Sequence, residues 1–248
     1  MAADRGTAVI TGASSGIGAA TAERLASEGF EVILGARRAH RLEEVARRCG
    51  GRALPLDVTD PDSVAAFAAE IRAVRVLVNN AGLASGLGPV AELDEERLTT
   101  MWSTNVMGLV RVTKALLPHI EASGDGHIVN LGSIAGFETY PGGGGYTASK
   151  HALRAITRTL RVELVGRPVR VTEVAPGHVA TEFAHVRFDG DDAKASKTYE
   201  GFTPLAAADI ADCIAWAVTR PSNVNVDEIV VRARAQANAT TIARDLGD

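Results

Sequence analysis

Apolar residues along the chain follow two alternating patterns. Short unbroken runs rich in Val, Ile and Leu recur at 7–10, 31–34, 52–56, 74–78, 127–131, 169–174 and 228–231. Between them the apolar spacing widens to that of a helix, at 17–30 (Ile17, Ala20, Leu25, with Gly29 as a stop), 39–48, 61–72, 95–120 and 146–164. Runs without polar alternation are buried on both faces, as in a parallel sheet covered by helices. Their regular alternation with helices predicts right-handed βαβ units and a doubly wound α/β sheet in one domain spanning 1–248. Between 179 and 205 the periodicity disappears, which predicts an insertion outside the sheet that folds over the site as a lid. The glycine run 142–145 is too short for a linker and reads as a mobile loop.

Composition narrows the function classes. With 248 residues and 46% hydrophobic content, the chain is long enough for one generous core. A net charge of -4 gives no footprint for nucleic acid. Cys49 and Cys213 stand far apart without ligand spacing, so neither a disulfide framework nor a metal site is expected. Residues 1–6 hold no apolar secretory core, and no apolar run approaches the ~20 residues of a membrane span. The expectation is a soluble cytoplasmic protein acting on a small molecule, with neither nucleic acid nor membrane as partner.

The segment Thr11-Gly12-Ala13-Ser14-Ser15-Gly16-Ile17-Gly18 falls where a strand hands over to a helix. Gly12, Gly16 and Gly18 would allow a tight turn, close packing and approach of backbone N–H groups to a pyrophosphate, with Ser14, Ser15 and Ile17 between them. An acidic residue normally follows some 20 residues on, to hold the ribose hydroxyls of NAD. Here Ala36 is followed by Arg37 and Arg38, whose planar donors match a 2′-phosphate, so NADP(H) is expected with Arg37 as first contact and Ser14 as second. These arginines also suit the start of a charged helix. Asp57 and Val58 would meet the adenine, although Asp57 alone reads equally well as a turn or cap residue. Asn80, Ala81 and Gly82 suit close backbone packing on the adenosine side.

Tyr146 and Lys150 stand four residues apart on a helix, hence on one face. A free phenol titrates near pH 10; a neighbouring ammonium is expected to lower that value, so that Tyr146 exchanges a proton with an alcohol or carbonyl. Ser133, after the strand at 127–131, would hydrogen-bond the substrate oxygen. Tyr140 lacks a lysine four residues on, where Gly144 stands, and is rejected as the base. Asn105 beside Gly108 in the long helix suits a local distortion that holds a proton-relay water; an ordinary exposed Asn is the bland alternative.

Together these motifs resemble the short-chain dehydrogenase/reductase family across nearly the whole chain. The resemblance implies a Rossmann-type fold and a catalytic tetrad of Asn105, Ser133, Tyr146 and Lys150. It also implies nicotinamide contacts from the Pro176-Gly177 segment through Val179 and Thr181, and assembly as a dimer or tetramer through the helices at 95–120 and 146–164. The segments 132–136, 140–143, 186–192, 197–199 and 223–229 are similar to the NADP-dependent 3-hydroxy acid dehydrogenase group. That group is associated with serine, L-allo-threonine and 3-hydroxyisobutyrate oxidation and with malonic semialdehyde reduction. The tail beyond Ala233 has no clear match.

A 3-hydroxy acid needs a partner for its carboxylate. Of His185, Arg187, Lys194 and Lys197, Arg187 ranks first because a guanidinium can hold a carboxylate with two parallel bonds. Each of these charges also reads as solvated, or as paired with Asp189, Asp191 or Asp192. The competing functions are a reductase for a larger ketone or aldehyde and a non-catalytic NADP(H)-sensing regulator.

Overall fold

Strand β1 (Thr7–Thr11) leads into helix α1 (Gly16–Ser27), then β2 (Glu31–Ala36), α2 (Ala39–Cys49), β3 (Arg52–Pro55), α3 (Pro61–Ala69) and β4 (Val76–Asn79). There follow α4 (Glu95–Trp102), α5 (Leu109–Ala122), β5 (Gly126–Leu131), α6 (Gly144–Glu163) and β6 (Val169–Pro176). The last elements are β7 (Val179–Ala180), α7 (Phe183–Arg187), α8 (Asp192–Lys197), β8 (Leu205–Ala206), α9 (Ala207–Val218) and β9 (Glu228–Val231). This computed structural model describes residues 5–245; residues 1–4, part of the stretch read as lacking a secretory core, lie outside the described residues.

Seven strands form one parallel sheet in the order β3-β2-β1-β4-β5-β6-β9. The order reverses between β1 and β4, which opens a crevice at the carboxyl ends of those strands, where doubly wound sheets bind ligands. One apolar layer joins Ile10, Leu34 and Val78 to Leu25, Leu42, Ile210 and Ile214. The other joins Val9, Ile33 and Leu77 to Phe67, Leu116, Ile120 and Ile128. Alternate residues of each strand thus feed opposite layers, which explains the unbroken apolar runs. The molecule is a single-domain Rossmann-type fold, as the alternating pattern predicts.

Local chemistry sets several boundaries. Asp60 caps α3, accepting from Asp62 N ahead of Pro61 at the first turn, and Asp94 caps α4, accepting from Glu96 N and Arg97 N. Gly50 ends α2 in the left-handed region (φ 66°). Two expectations need correction. The single helix read over 95–120 is interrupted by a π-helical turn, Ser103–Gly108, centred on Asn105. Two of the glycines read as a loop, Gly144 and Gly145, instead form the first turn of α6; a side chain at Gly145 would strike the Met101 methyl, so α4 packs there directly. The 179–205 insertion lies outside the main sheet but holds α7 and α8, and β7 pairs with β8 at its ends. No helix among the described residues is long and apolar enough to cross a membrane.

Candidate active site

The crevice is a cavity of about 650 Å³ that touches every cofactor, catalytic and substrate residue proposed above except Gly18 and Asn105. Its floor is the turn from β1 into α1. A side chain at Gly12 (φ 66°) would come within 2.8 Å of Ala81 Cα, and one at Gly18 within 2.5 Å of the Asn80 amide. Asn80 Nδ2 donates to Thr11 O (2.8 Å) and Gly12 O (3.2 Å), while Asn80 N and Ala81 N both donate to Thr11 Oγ1 (3.0 Å). The Asn-Ala-Gly stretch therefore clamps the glycine turn. Ser15 precedes α1 without a side-chain cap, and the first turn holds no acidic residue, so its N–H groups suit a pyrophosphate.

Arg37 and Arg38 stand at the exposed rim after β2. Arg38 reaches Ser14 Oγ (3.1 Å) and Ser15 Oγ (2.6 Å), and pairs with Glu182 at 2.8 Å. Arg37 lies near enough to Asp57 for its charge to act on that carboxyl. Asp57 Oδ1 accepts from Thr59 N (2.9 Å) and Oγ1 (2.7 Å), the turn role read as an alternative. Against the upward push of burial, these bonds and Arg37 hold its carboxyl below the usual range. Val58 is buried beside it and meets Gly108 of the π-turn. These donors, with the exposed helix terminus, fit the diphosphate and 2′-phosphate of NADP(H).

Tyr146 and Lys150 share one face of α6, with Lys150 Nζ 5.9 Å from the phenol ring centroid and donating to Leu131 O at 2.8 Å. Ser133 Oγ accepts from Ala135 N (3.1 Å), lies 3.5 Å from Pro176 O and is near enough to Tyr146 to act on its hydroxyl. Asn105 Oδ1 accepts from Leu83 N (2.8 Å), while its Nδ2 donates to Leu83 O (2.8 Å) and Ser149 Oγ (3.0 Å). The expected pKa shift of Tyr146 is reversed. Burial pushes the phenol up to about 12, Tyr140 adds to this, and Arg187 and Ser133 oppose it. Burial also brings Lys150 down to about 8, against the opposing charge of Glu173. For both groups desolvation is the largest cause of the shift.

The insertion supplies the far wall. Thr181 lies against Gly16, and Val179 anchors β7. The three aspartates of the insertion are engaged elsewhere: Asp189 with Arg97 (2.7 Å), Asp191 with Lys194 (3.0 Å) and Asp192 with His185 (3.0 Å). Arg187 pairs with none of them. Its Nη2 donates to the Tyr140 hydroxyl (2.5 Å), and its guanidinium carbon lies 5.1 Å from the Tyr146 ring, 5.6 Å from Phe183 and 5.7 Å from Tyr140. Its Nε is buried without a hydrogen-bond partner.

The family model for short chain dehydrogenase matches residues 6–192. The chain belongs to that family. This short chain dehydrogenase is 57% identical to an uncharacterized oxidoreductase of Mycobacterium tuberculosis over 94% of its own length and 93% of the relative's. It is 44% identical to sulfoacetaldehyde reductase 2 of Chromohalobacter salexigens (96% and 98% covered). Identity is 40% to an NADP-dependent 3-hydroxy acid dehydrogenase of Schizosaccharomyces pombe (97% of each). Among solved structures, the closed form of serine dehydrogenase complexed with NADP+ superposes with a TM-score of 0.91 at 37% identity, covering 96% of this chain and 99% of the other. This short chain dehydrogenase is thus an oxidoreductase.

Three parts of its site were not read from the sequence. Tyr140, rejected as a base, is the partner of Arg187. Glu173, buried on β6, acts on Lys150 from behind and lies 3.7 Å from Arg154; a charged residue within an apolar strand was the available signal. The tail after Ala233 also returns to the cavity, where Ala239 lines the wall. That return joins residues distant in sequence and left no local signature.

Proposed function

We propose that this oxidoreductase interconverts a small 3-hydroxy acid and its semialdehyde or keto form, using NADP(H). The observation carrying this reading is Arg187, a cation free of carboxylate partners among the described residues and stacked on the ring of Tyr146 in the same cavity. An anion held there by the guanidinium would bring a hydroxyl a few atoms away towards Tyr146 and Ser133.

The cofactor supplies or accepts the hydride. In oxidation Tyr146 takes the alcohol proton; in reduction it gives one to the carbonyl oxygen. Ser133 donates to that oxygen as negative charge accumulates. Lys150, fixed by Leu131 O, favours the phenolate, and Asn105 positions it by tying Leu83 to Ser149 beneath α6. With its side chain fully bonded, Asn105 would order a relay water through the carbonyls of the π-turn. Arg37, Arg38 and Ser14 take the 2′-phosphate; Ser15, Gly16, Ile17 and Gly18 form the pyrophosphate turn; Asp57 and Val58 meet the adenine. Asn80, Ala81 and Gly82 back the adenosine side, and Pro176, Gly177, Val179 and Thr181 meet the nicotinamide carboxamide. Exposed Trp102, Met107, Val162 and Val165 on and near α4 to α6 support self-association as a dimer or tetramer.

A second reading, reduction of a larger ketone or aldehyde, is favoured by an adjoining groove of about 450 Å³ that shares Tyr146 and Arg187 and extends along Leu87, Leu93 and Gly142. Retention of Tyr146 and Lys150 speaks against a sensing protein without turnover. The deciding experiment offers L-serine, L-allo-threonine and a bulky ketone to the protein with NADP(H), with Tyr146→Phe as control. Turnover of the hydroxy acids supports the first reading; turnover of the ketone alone favours the second.

A further inference from the structure

The chain after β9 folds back over the cavity and places one side chain beneath His178. Ala233 and Gln236 are buried, and a tight turn is closed by Ala237 N to Thr241 O (3.0 Å) and Ala243 N to Ala235 O (2.8 Å). The turn is tied down at both ends. Glu138 accepts from Ala239 N and from Arg232 (2.6 Å each), and Asp245 N donates to Gly201 O (2.6 Å) next to the insertion. Gln236 lies so close under Gly177 that a side chain there would meet its Oε1 at 2.1 Å.

The bonding of Gln236 determines the protonation pattern of His178. Gln236 Oε1 accepts from His178 N at 3.0 Å, which identifies the other amide atom as the donor. That atom, Nε2, lies 2.7 Å from His178 Nδ1 and 3.2 Å from Asn238 O, so both of its protons are used. His178 Nδ1 is therefore an acceptor, and the neutral ring carries its proton on Nε2. Burial holds the imidazole below its ordinary pKa against the opposing Gln236 contact, with the charges of Arg187 and Arg244 adding to the lowering, and this keeps it neutral. Nε2 has no hydrogen-bond partner among the described residues, and His178 lines the same cavity as Arg187.

We propose that His178 is a specificity-determining residue, whose Nε2–H, set by Gln236 of the C-terminal tail, donates to the anionic end group that Arg187 pairs with. The inference rests on the 3-hydroxy acid reading and adds a substrate contact to it. A carboxylate offers about four lone-pair sites, and one edge of a planar guanidinium reaches only two of them. A sulfonate presents the same need with three oxygens. In both cases a neutral donor adds a bond without placing a second fixed charge near Tyr146.

The test compares kcat/KM for 3-hydroxypropionate and for 1-propanol with NADP+, in the full-length protein. His178→Leu should lower the acid-to-alcohol ratio by about tenfold to a hundredfold, through KM for the acid. His178→Gln, which retains an N–H donor, should recover most of that ratio. Gln236→Leu should lower the ratio by a smaller factor. In the unaltered protein, nitrogen NMR of the imidazole should report an unprotonated Nδ1 and a protonated Nε2, and Gln236→Glu should reverse the two. An unchanged ratio in His178→Leu, or a protonated Nδ1 in the unaltered protein, overturns the inference. If Arg187→Ala still lowers the ratio in that case, the 3-hydroxy acid reading stands. If neither substitution changes it, both fall.

Discussion

The guanidinium carbon of Arg187 lies 5.1 Å from the centroid of the Tyr146 ring, so the cation proposed to hold the substrate also acts on the phenol proposed as the base. Removing it has two expected effects. Arg187→Ala should raise KM for hydroxy acids about tenfold to a hundredfold more than for uncharged alcohols, the value of one charge-assisted contact. It should also move the rise of oxidation rate to higher pH, because the lost cation favoured the phenolate. Steady-state kinetics across pH on both substrate types check the pair of effects. Equal losses for acid and alcohol would argue against an anion contact.

Burial keeps the Tyr146 hydroxyl protonated up to about 12 in the free protein. Carbonyl reduction needs that proton and alcohol oxidation needs its removal. Oxidation kcat/KM should therefore climb through neutral and alkaline pH, while reduction stays flat or declines. An oxidation rate that does not change between mildly acidic and alkaline buffers would exclude the phenol as base.

Arg37 and Arg38 both border the adenosine end, and Arg38 is already bound to Ser14 and Ser15. Arg37→Asp and Arg38→Asp should each weaken NADPH binding by about tenfold to a hundredfold, and Arg37→Asp should shift preference towards NADH. Fluorescence titration with both cofactors measures this. Whichever variant keeps its NADPH affinity identifies an arginine without the role.

His127 is fully buried on β5, with Nε2 2.7 Å from Thr172 Oγ1. Burial, helped by Arg170, lowers its pKa from 6.5 to about 3. Between those values the unfolded chain binds a proton that the folded chain lacks, so stability is full above pH 6.5 and declines as pH falls. The slope should be up to ~1.4 kcal/mol per pH unit. Denaturant unfolding from neutral to mildly acidic pH should show that decline, and His127→Gln should flatten it.

Much of this site is readable from single short segments. The turn containing Gly12, Gly16 and Gly18, the pair Tyr146 and Lys150, and Asn105 as a helix distortion each depend on residues within one or two turns of chain. Interactions across the fold are not readable in that way. The direction of the Tyr146 shift depends on how deeply α6 is buried, and the opposing groups, Arg187 and Ser133, come from other elements. Among the charges at 179–205, His185 and Lys194 pair with Asp192 and Asp191, Arg97 from α4 takes Asp189, and Arg187 lies against aromatic rings instead.

By itself, the sequence determined the parallel sheet and the order of its main strands, because periodicity and motif spacing act over a few residues; α7 to α9 and the break between α4 and α5 came only with the tertiary structure. Tertiary structure alone decided that the tail reaches His178 through Gln236, that Glu173 stands behind Lys150, and that burial raises the Tyr146 phenol. Those outcomes depend on distance and burial between segments up to 101 residues apart, as for Glu138 and Ala239, and no local pattern encodes them.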